Sequence, residues 1–409
     1  MRRSRNARVA VGLVVAAACG GTLLAGLVVE RFDPDTACCD HLFYRSMSYN
    51  LFSLTRPDLD TIPAGNELEA LYGAADYGWL DHRNGLARQP PYVYRVVTPL
   101  LARALAPITG IDDAYWLISL FALAGAATFL GLTALRITGS AAPAVLVVAA
   151  FLTDPPTARW NLNDFMLTDP MAFFLTALAI WALVQQRRGL FFVACAVGVL
   201  NKENMVPLLL AYPLAEGIRT RRFPWVSASW AIGIGMGWIA FRAVLPVPVD
   251  TYSILGQFRE GWQHVRLMGV VLLFTMGPLL PAVRRGLRDP VIVSLLPFAA
   301  AAILSAWFVD DLERAMIQAL PVVLLAGLRP WTSSVRARIA VLVPAGLLVC
   351  QNLAGLAELL NRKKMAVIFL VALATEALIW TRRWLENGEA SAHRSMSHLS
   401  RLRVSRSQS

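Results

Sequence analysis

Apolar runs of roughly 17 to 25 residues, separated by short turns that carry arginine, dominate this chain. Such runs match the thickness of a lipid bilayer when they are helical. Helices satisfy their own backbone polar groups in lipid, so a chain with many such runs is predicted to be all-α. Hydrophobic residues make up 56% of the sequence and charged residues 16%, with a mean hydropathy of +0.53, which is unlike a soluble globule. We therefore predict a polytopic transmembrane helical bundle.

About twelve apolar segments are expected in this bundle, and several are shorter than a full span. Residues 141–153, for example, give about 20 Å of helix at 1.5 Å per residue, which is less than the hydrocarbon thickness. Some segments must therefore extend into polar flanks, tilt, or enter and return. The twelve segments are 9–29, 114–135, 141–153, 170–184, 190–200, 205–215, 224–245, 267–283, 290–309, 315–328, 339–360 and 365–381.

The positions of the arginines predict that the N-terminus faces the cytoplasm. In that orientation the cytoplasmic connections and the tail hold 22 of the 38 basic residues, as the positive-inside rule requires. The same topogenic pattern accounts for the net charge of +11 without a nucleic-acid partner. Residues 361–364 oppose this orientation, because they place three basic side chains on the other face. The first apolar run has the length of a retained signal-anchor rather than of a cleaved signal peptide.

This topology divides the chain into a cytoplasmic N-terminus (1–8), a transmembrane domain (9–381) and a basic cytoplasmic tail (382–409) that is predicted to be disordered. The transmembrane domain includes a large non-cytoplasmic first loop, residues 30–113. Nearly every carboxylate close to the membrane falls on the non-cytoplasmic side. We therefore expect a multi-pass protein, integral to the cell (inner) membrane, whose chemistry or binding takes place at its outer face.

Three aspartates in the first loop follow the first span closely: Asp33, Asp35 and Asp40. A carboxylate at a membrane surface can act as a general base toward a hydroxyl group, or can hold a divalent cation in an oxygen-rich site. Helix capping and simple solvation are the alternatives at this spacing.

Three cations on the outer face are candidates for binding a phosphate group: Arg95, Lys202 and Arg314. Arg95 could share a helical face with Arg103, although snorkelling at the interface explains such arginines equally well. Lys202 and Glu203 could form a self-neutralising turn, or Lys202 could point at a ligand phosphate. Arg314 begins a helix against the dipole preference, so a neighbouring acid or an anionic ligand should compensate it.

The connection 154–169, which is predicted to face the outside, contains Asp164 and Asp169. Because Pro170 suits the first turn of a helix, Asp169 is a plausible N-cap, and capping would explain it without catalysis. Asp164 has no such explanation.

Four motifs follow one another along the chain: Asp40-His41-Leu42-Phe43-Tyr44, Tyr94-Arg95-Val96-Val97-Thr98-Pro99-Leu100-Leu101, Leu167-Thr168-Asp169-Pro170-Met171-Ala172 and Val199-Leu200-Asn201-Lys202-Glu203-Asn204. Their order resembles the GT-C superfamily, integral-membrane glycosyltransferases that take a sugar from a polyprenyl-phosphate carrier. The resemblance covers roughly residues 9 to 330, and the Glu313-Arg314 turn before a proline-containing helix is also similar to that group.

This resemblance implies a cavity on the outer face with a catalytic base from the first loop: Asp40, or the pair Asp33 and Asp35. It implies that the three cations hold the carrier phosphate, and that acids of the outer turns, Asp164, Asp169 and Glu203, support acceptor or ion binding. The chain departs from the usual pattern of the family in one respect, since its first loop has no adjacent acidic pair.

The expected function is transfer of a sugar from a lipid-linked donor to a cell-envelope glycan or lipid, with membrane lipids as further partners. No cofactor is certain, and a divalent cation remains a candidate. A transporter or flippase of a lipid-linked or small polar substrate is the alternative, because Arg242, Glu358 and Glu376 lie in or near spans. A non-catalytic assembly factor that kept the fold is a third interpretation. The chain contains no P-loop, Rossmann fingerprint, nucleophile elbow or zinc-type histidine spacing.

Overall fold

The computed structural model describes residues 2–31, 44, 48, 95–244, 261–305, 312–328, 331, 334–356, 367–375 and 377. This part of the chain is all-helical and contains no strand, as predicted. The α-helices are α1 (Arg2–Val28), α2 (Val97–Thr109), α3 (Ile111–Thr138), α4 (Ala141–Thr153), α5 (Trp160–Asn163), α6 (Asp169–Val184), α7 (Arg188–Asn201), α8 (Ala211–Thr220), α9 (Trp225–Val244), α10 (Gly261–Met276), α11 (Leu280–Gly286), α12 (Pro290–Ser305), α13 (Leu312–Met316), α14 (Leu320–Leu328) and α15 (Val335–Leu356).

Each of the twelve predicted apolar segments contains helix, and the bounds predicted for α4 are those observed. Within the part of the chain that the structure describes, the number of full spans is lower than twelve. Among the described residues, Asn6–Val28 and α3 are long and apolar enough to cross a membrane. Two bent pairs, one at 63° and one at 74°, raise the number to four if each pair is one span. Six further apolar helices have 10 to 17 residues.

The core forms where α3, α4, α6 and α7 pack against one another, with α1 lying on α3 and α4. Phe151 of α4 meets Phe173 of α6 edge to face at 5.6 Å between ring centroids. Phe129 of α3 packs on Phe174 of α6 at 5.9 Å. These aromatic contacts help to fix the position of α6, whose first residue is part of the candidate site described below.

Gly131 of α3 lies at the crossing with α1 and α4, and a larger residue there should lower stability. A Cβ atom at this position would come within 2.5 Å of Val14 Cγ1 and 2.8 Å of Val148 Cγ2. We expect Gly131→Val to reduce the free energy of unfolding by about 1–3 kcal/mol, the usual cost of overpacking. Denaturant titration of the detergent-solubilised protein measures the change.

The matched control is Gly20→Val in α1, where a Cβ atom would have nothing within 4 Å. Its effect should stay within about 0.5 kcal/mol, as for substitutions away from packed contacts. Equal losses in the two variants would contradict the close approach of α1 to α3.

Irregular elements follow or join several of the helices. A π-helical turn (Pro155–Arg159) follows α4, and a 3-10 helix (Glu203–Leu210) follows α7. Another 3-10 turn (Ile317–Ala319) joins α13 to α14. Predicted segments that are too short to span a bilayer, such as 141–153 and 190–200, therefore end near breaks in the helices.

Candidate functional site

Asn201, at the end of α7, joins the helix ends that form the site. Its Nδ2 donates to the carbonyl oxygen of Thr168 at 2.9 Å, next to the start of α6. Its Oδ1 accepts from Thr98 Oγ1 of α2 at 2.7 Å. Asn201 and Thr98 are both buried, so these hydrogen bonds are shielded from water. They connect the ends of α2, α6 and α7 to one another.

Asp169, the first residue of α6, is the centre of the site and is 1% exposed. Its Oδ1 accepts hydrogen bonds from Lys202 Nζ and, at 3.0 Å, from Gln318 Nε2. Its Oδ2 accepts from the Arg314 guanidinium at 2.9 Å. A carboxylate this deeply buried is expected to be paired with cations and hydrogen-bonded, and Asp169 meets both conditions.

Lys202 reaches Asp169 because α7 ends at Asn201 and the chain turns at that point into an extended conformation. Its side chain is only 11% exposed. Burial lowers the pKa of the Lys202 ammonium below its usual value, while the charge of Asp169 opposes this shift and the cations Arg314 and Arg95 add to it. Lys202 therefore lies within electrostatic range of both arginines.

Arg95 and Glu203 form a second ion pair beside the first. Arg95 donates from Nε to Glu203 Oε2 at 3.0 Å and from a terminal nitrogen to Oε1, which is the two-pronged geometry that binds a carboxylate strongly. Burial alone would raise the pKa of the Glu203 carboxyl, but Arg95 outweighs burial and holds that pKa below its usual value. Glu203 is therefore ionised at neutral pH.

Among the described residues, the ionised side chains that meet here carry an excess of positive charge. Arg95, Lys202 and Arg314 contribute three positive charges, and Asp169 and Glu203 contribute two negative charges. A net charge of +1 among side chains that are mostly buried favours a bound anion. We call these five residues the cation cluster.

Tyr44, from the predicted first loop, contacts the cation cluster and is fully buried. The Tyr44 hydroxyl accepts a hydrogen bond from Arg95 at 2.8 Å and lies 3.3 Å from Thr168 Oγ1. The Tyr44 carbonyl accepts from Tyr115 Oη at 2.7 Å and from Ser48 Oγ at 3.0 Å. Tyr44 is thus bound both to α3 and to the cluster.

Five of the nine predicted site residues meet in this cluster: Arg95, Lys202, Glu203, Asp169 and Arg314. Asp164 follows the short helix α5, is half-buried, and is not one of the five residues of the cation cluster. Asp33, Asp35 and Asp40, the candidate bases, lie outside the described residues.

Two interpretations of Asp169 and Lys202 need correction. The N-cap of α6 is Thr168, and the Asp169 carboxylate accepts from cations instead of capping the helix. Lys202 does not form a self-neutralising turn with Glu203, because its ammonium pairs with Asp169 while Glu203 pairs with Arg95. Both interpretations considered only residues that are close in the sequence. Lys202 and Asp169, which pair with each other, are 33 residues apart.

Arg95 and Arg103 do not share a helical face. Helix α2 begins at Val97, so Arg95 lies before the helix and is buried, whereas Arg103 is exposed on it. Arg314 does find a compensating acid, and the one that the structure shows is Asp169, 145 residues earlier in the chain.

Sequence reasoning missed the roles of Tyr44, Asn201 and Gln318. Gln318 lies one helical turn after Arg314 and is the polar residue in the otherwise apolar stretch 315–328. A polar side chain at that spacing from a cation was the available signal. Tyr44 and Asn201 lie within quoted motifs, but nothing in their spacing identifies their partners.

The cation cluster is a poor site for a metal ion, because its cations outnumber its carboxylates. Within the described residues, no group of three or more histidine, cysteine, aspartate or glutamate side chains could hold a metal. The chemistry that suits the cluster is binding of an anion with two or more oxygens, such as a phosphate or a carboxylate.

Comparison of the chain with protein-family models, with curated proteins and with solved structures gave no match.

Proposed function

We propose that this protein is a membrane glycosyltransferase of the GT-C type, which moves a sugar from a polyprenyl-phosphate donor to a cell-envelope glycan or lipid on the non-cytoplasmic face. The observation that carries the proposal is the cation cluster. Three cations that the motif order assigned to the carrier phosphate, Arg95, Lys202 and Arg314, occupy one buried site with net positive charge.

The cluster suits the leaving group of such a transfer. When the bond between the sugar and the lipid phosphate breaks, the phosphate departs with an additional negative charge. Positioned cations in a site of low exposure stabilise that charge more than water does. Arg314 and Arg95 also provide the planar sets of donors that match phosphate oxygens.

The acceptor hydroxyl needs a general base within hydrogen-bond reach. Asp40 is the favoured base, because it precedes Tyr44 by four residues and Tyr44 is bound to Arg95. Four residues of extended chain span at most about 14 Å, so Asp40 is tethered near the cluster by its sequence position. Asp33 and Asp35 are the alternatives, and they follow Arg31, which pairs with Asp113 at the start of α3.

The membrane part of the proposal is that the protein is multi-pass and integral to the inner membrane. The two to four helices of spanning length support it, as do apolar side chains on the outside of shorter helices. On α2, for example, the exposed side chains include Leu100, Leu101, Leu105 and Ile108. A helix that exposes several large apolar side chains is unfavourable in water, and the same side chains are favourable in contact with lipid acyl chains.

Transport of a lipid-linked or small polar substrate is the second candidate, and the bent helix pairs favour it. Ala141–Thr153 and Pro155–Asn163 meet at 63°, and Leu267–Leu273 and Gly277–Arg284 meet at 74°. Transporters commonly bind substrates at broken helices of this kind. The buried cation cluster would then be a substrate site without chemistry.

Reconstitution into liposomes separates the two functions. Purified protein is incubated with polyprenyl-phosphate-linked sugars and an extract of envelope glycans and lipids, and mass spectrometry follows both donor and acceptor. The proposal predicts a covalent product heavier by one sugar, together with free polyprenyl phosphate. Movement of an unchanged substrate across the bilayer, with no such product, would establish transport and exclude transfer.

A further inference from the structure

Asp169 occupies the position in which an anionic ligand would meet Lys202 and Arg314. Both of its oxygens are engaged: Oδ1 by Lys202 and Gln318, and Oδ2 by Arg314. The residue is 1% exposed, so water contributes little to balancing its charge. In this structure the donors of the cluster are therefore directed at an anion that belongs to the protein itself.

A phosphate bound by the same donors could not leave this arrangement unchanged. A phosphate group carries one or two negative charges, which turns the net charge of the cluster from +1 to zero or below. Two anions that share Lys202 and Arg314 repel each other, and that repulsion is strong where water is excluded. Asp169 must therefore weaken the binding of a second anion, by charge and by occupying its donors.

We propose that Asp169 is an internal competitor for the ligand phosphate: it pairs with Lys202 and Arg314 when the site is empty and gives up part of this pairing when the phosphate binds. This inference rests on the proposed function, in which the cluster holds a lipid phosphate. It replaces the expectation that Asp169 supports the acceptor. Its consequence is a lowered affinity for the product phosphate, which lets the product leave after transfer.

Gln318 is a neutral partner of Asp169, so it can be replaced without altering the charge of the site. Its Nε2 holds Asp169, while its Oε1 is buried without a hydrogen-bond partner among the described residues. Replacing Gln318 by methionine removes one of the three donors of Asp169 and also removes the unsatisfied oxygen. The fold should tolerate this change, because the two side chains have similar volume and shape.

The test is a titration of the full-length, detergent-solubilised protein with pyrophosphate, measured by calorimetry at constant ionic strength. We expect Asp169→Asn to bind pyrophosphate at least tenfold more tightly than the wild type, and Gln318→Met to bind it several-fold more tightly. Arg314→Gln should bind it more weakly than the wild type. A second series with a short-chain prenyl phosphate in the micelle separates recognition of the free anion from recognition of a lipid headgroup, and the same order of affinities is expected in both.

Equal or weaker binding by Asp169→Asn would overturn the competitor role. If that variant fails to fold, equal or weaker binding by Gln318→Met overturns it instead. In either case, binding by the wild type that is lost in Arg314→Gln would leave the proposed phosphate site intact. No binding by the wild type or by any variant would overturn the phosphate site together with the inference.

Discussion

Replacement of Arg95 by methionine is expected to lower the free energy of unfolding by about 3 kcal/mol, the lower end of the range for breaking a buried ion pair. Arg95 is 11% exposed in its side chain, and it makes two hydrogen bonds to Glu203 and one to Tyr44. Without Arg95, the largely buried Glu203 carboxylate loses its main partner. The lower end applies because Glu203 is 32% exposed, so water recovers part of the loss. Denaturant titration in detergent measures the change.

Two further variants make this prediction specific to the pairing. Arg95→Met combined with Glu203→Gln should recover a substantial part of the loss, because the second change removes the uncompensated charge. Arg31→Met is the matched control, since its pair with Asp113 is exposed, at 43% and 59% of the two side chains. That variant should lose at most about 1 kcal/mol. Losses in the double variant that simply add would contradict the pairing of Arg95 with Glu203.

The largest effect on activity is expected for Asp40→Asn. If Asp40 is the general base, the rate of sugar transfer falls by about 10²- to 10⁴-fold, the usual contribution of such a group. Asparagine has nearly the same size but accepts no proton, so binding of pyrophosphate at the cation cluster should stay unchanged. The transfer assay in liposomes measures the rate, and calorimetry measures the affinity.

Asp33→Asn and Asp35→Asn are the matched variants for this experiment, since they change the same kind of side chain within the same loop. Each should lose less than tenfold in rate if Asp40 is the base. An unchanged rate in Asp40→Asn would remove Asp40 from the mechanism. A large loss in Asp33→Asn or Asp35→Asn instead would assign the role to that residue.

The helices of this protein were predictable because their signal is local. An apolar run with flanking arginines determines a helix without reference to the rest of the chain, and the bounds of α4 show how closely such a signal can be read. The number of full spans was not predictable in the same way. Breaks such as the π-helical turn after α4 and the 3-10 helix after α7 depend on packing with neighbouring helices.

The chemistry of the site was predictable in its residue types and only partly in its pairing. An isolated lysine and two arginines on one predicted face indicated an anion site, and the structure brings Arg95, Lys202 and Arg314 together. The capping role of Asp169 was wrong, because local propensity cannot anticipate a cation from 145 residues away. Gln318 was missed because its partner, Asp169, lies 149 residues away in the sequence.

Equilibrium binding of polyprenyl phosphate is the decisive test of whether the cation cluster binds the phosphate of a lipid-linked sugar. The wild type is compared with Arg314→Gln, with Arg103→Gln as the control, because Arg103 is an exposed arginine outside the cluster. The loss of one charged hydrogen bond predicts affinity about 10- to 100-fold weaker for Arg314→Gln and no change for Arg103→Gln. Wild-type affinity in a folded Arg314→Gln variant would contradict the account.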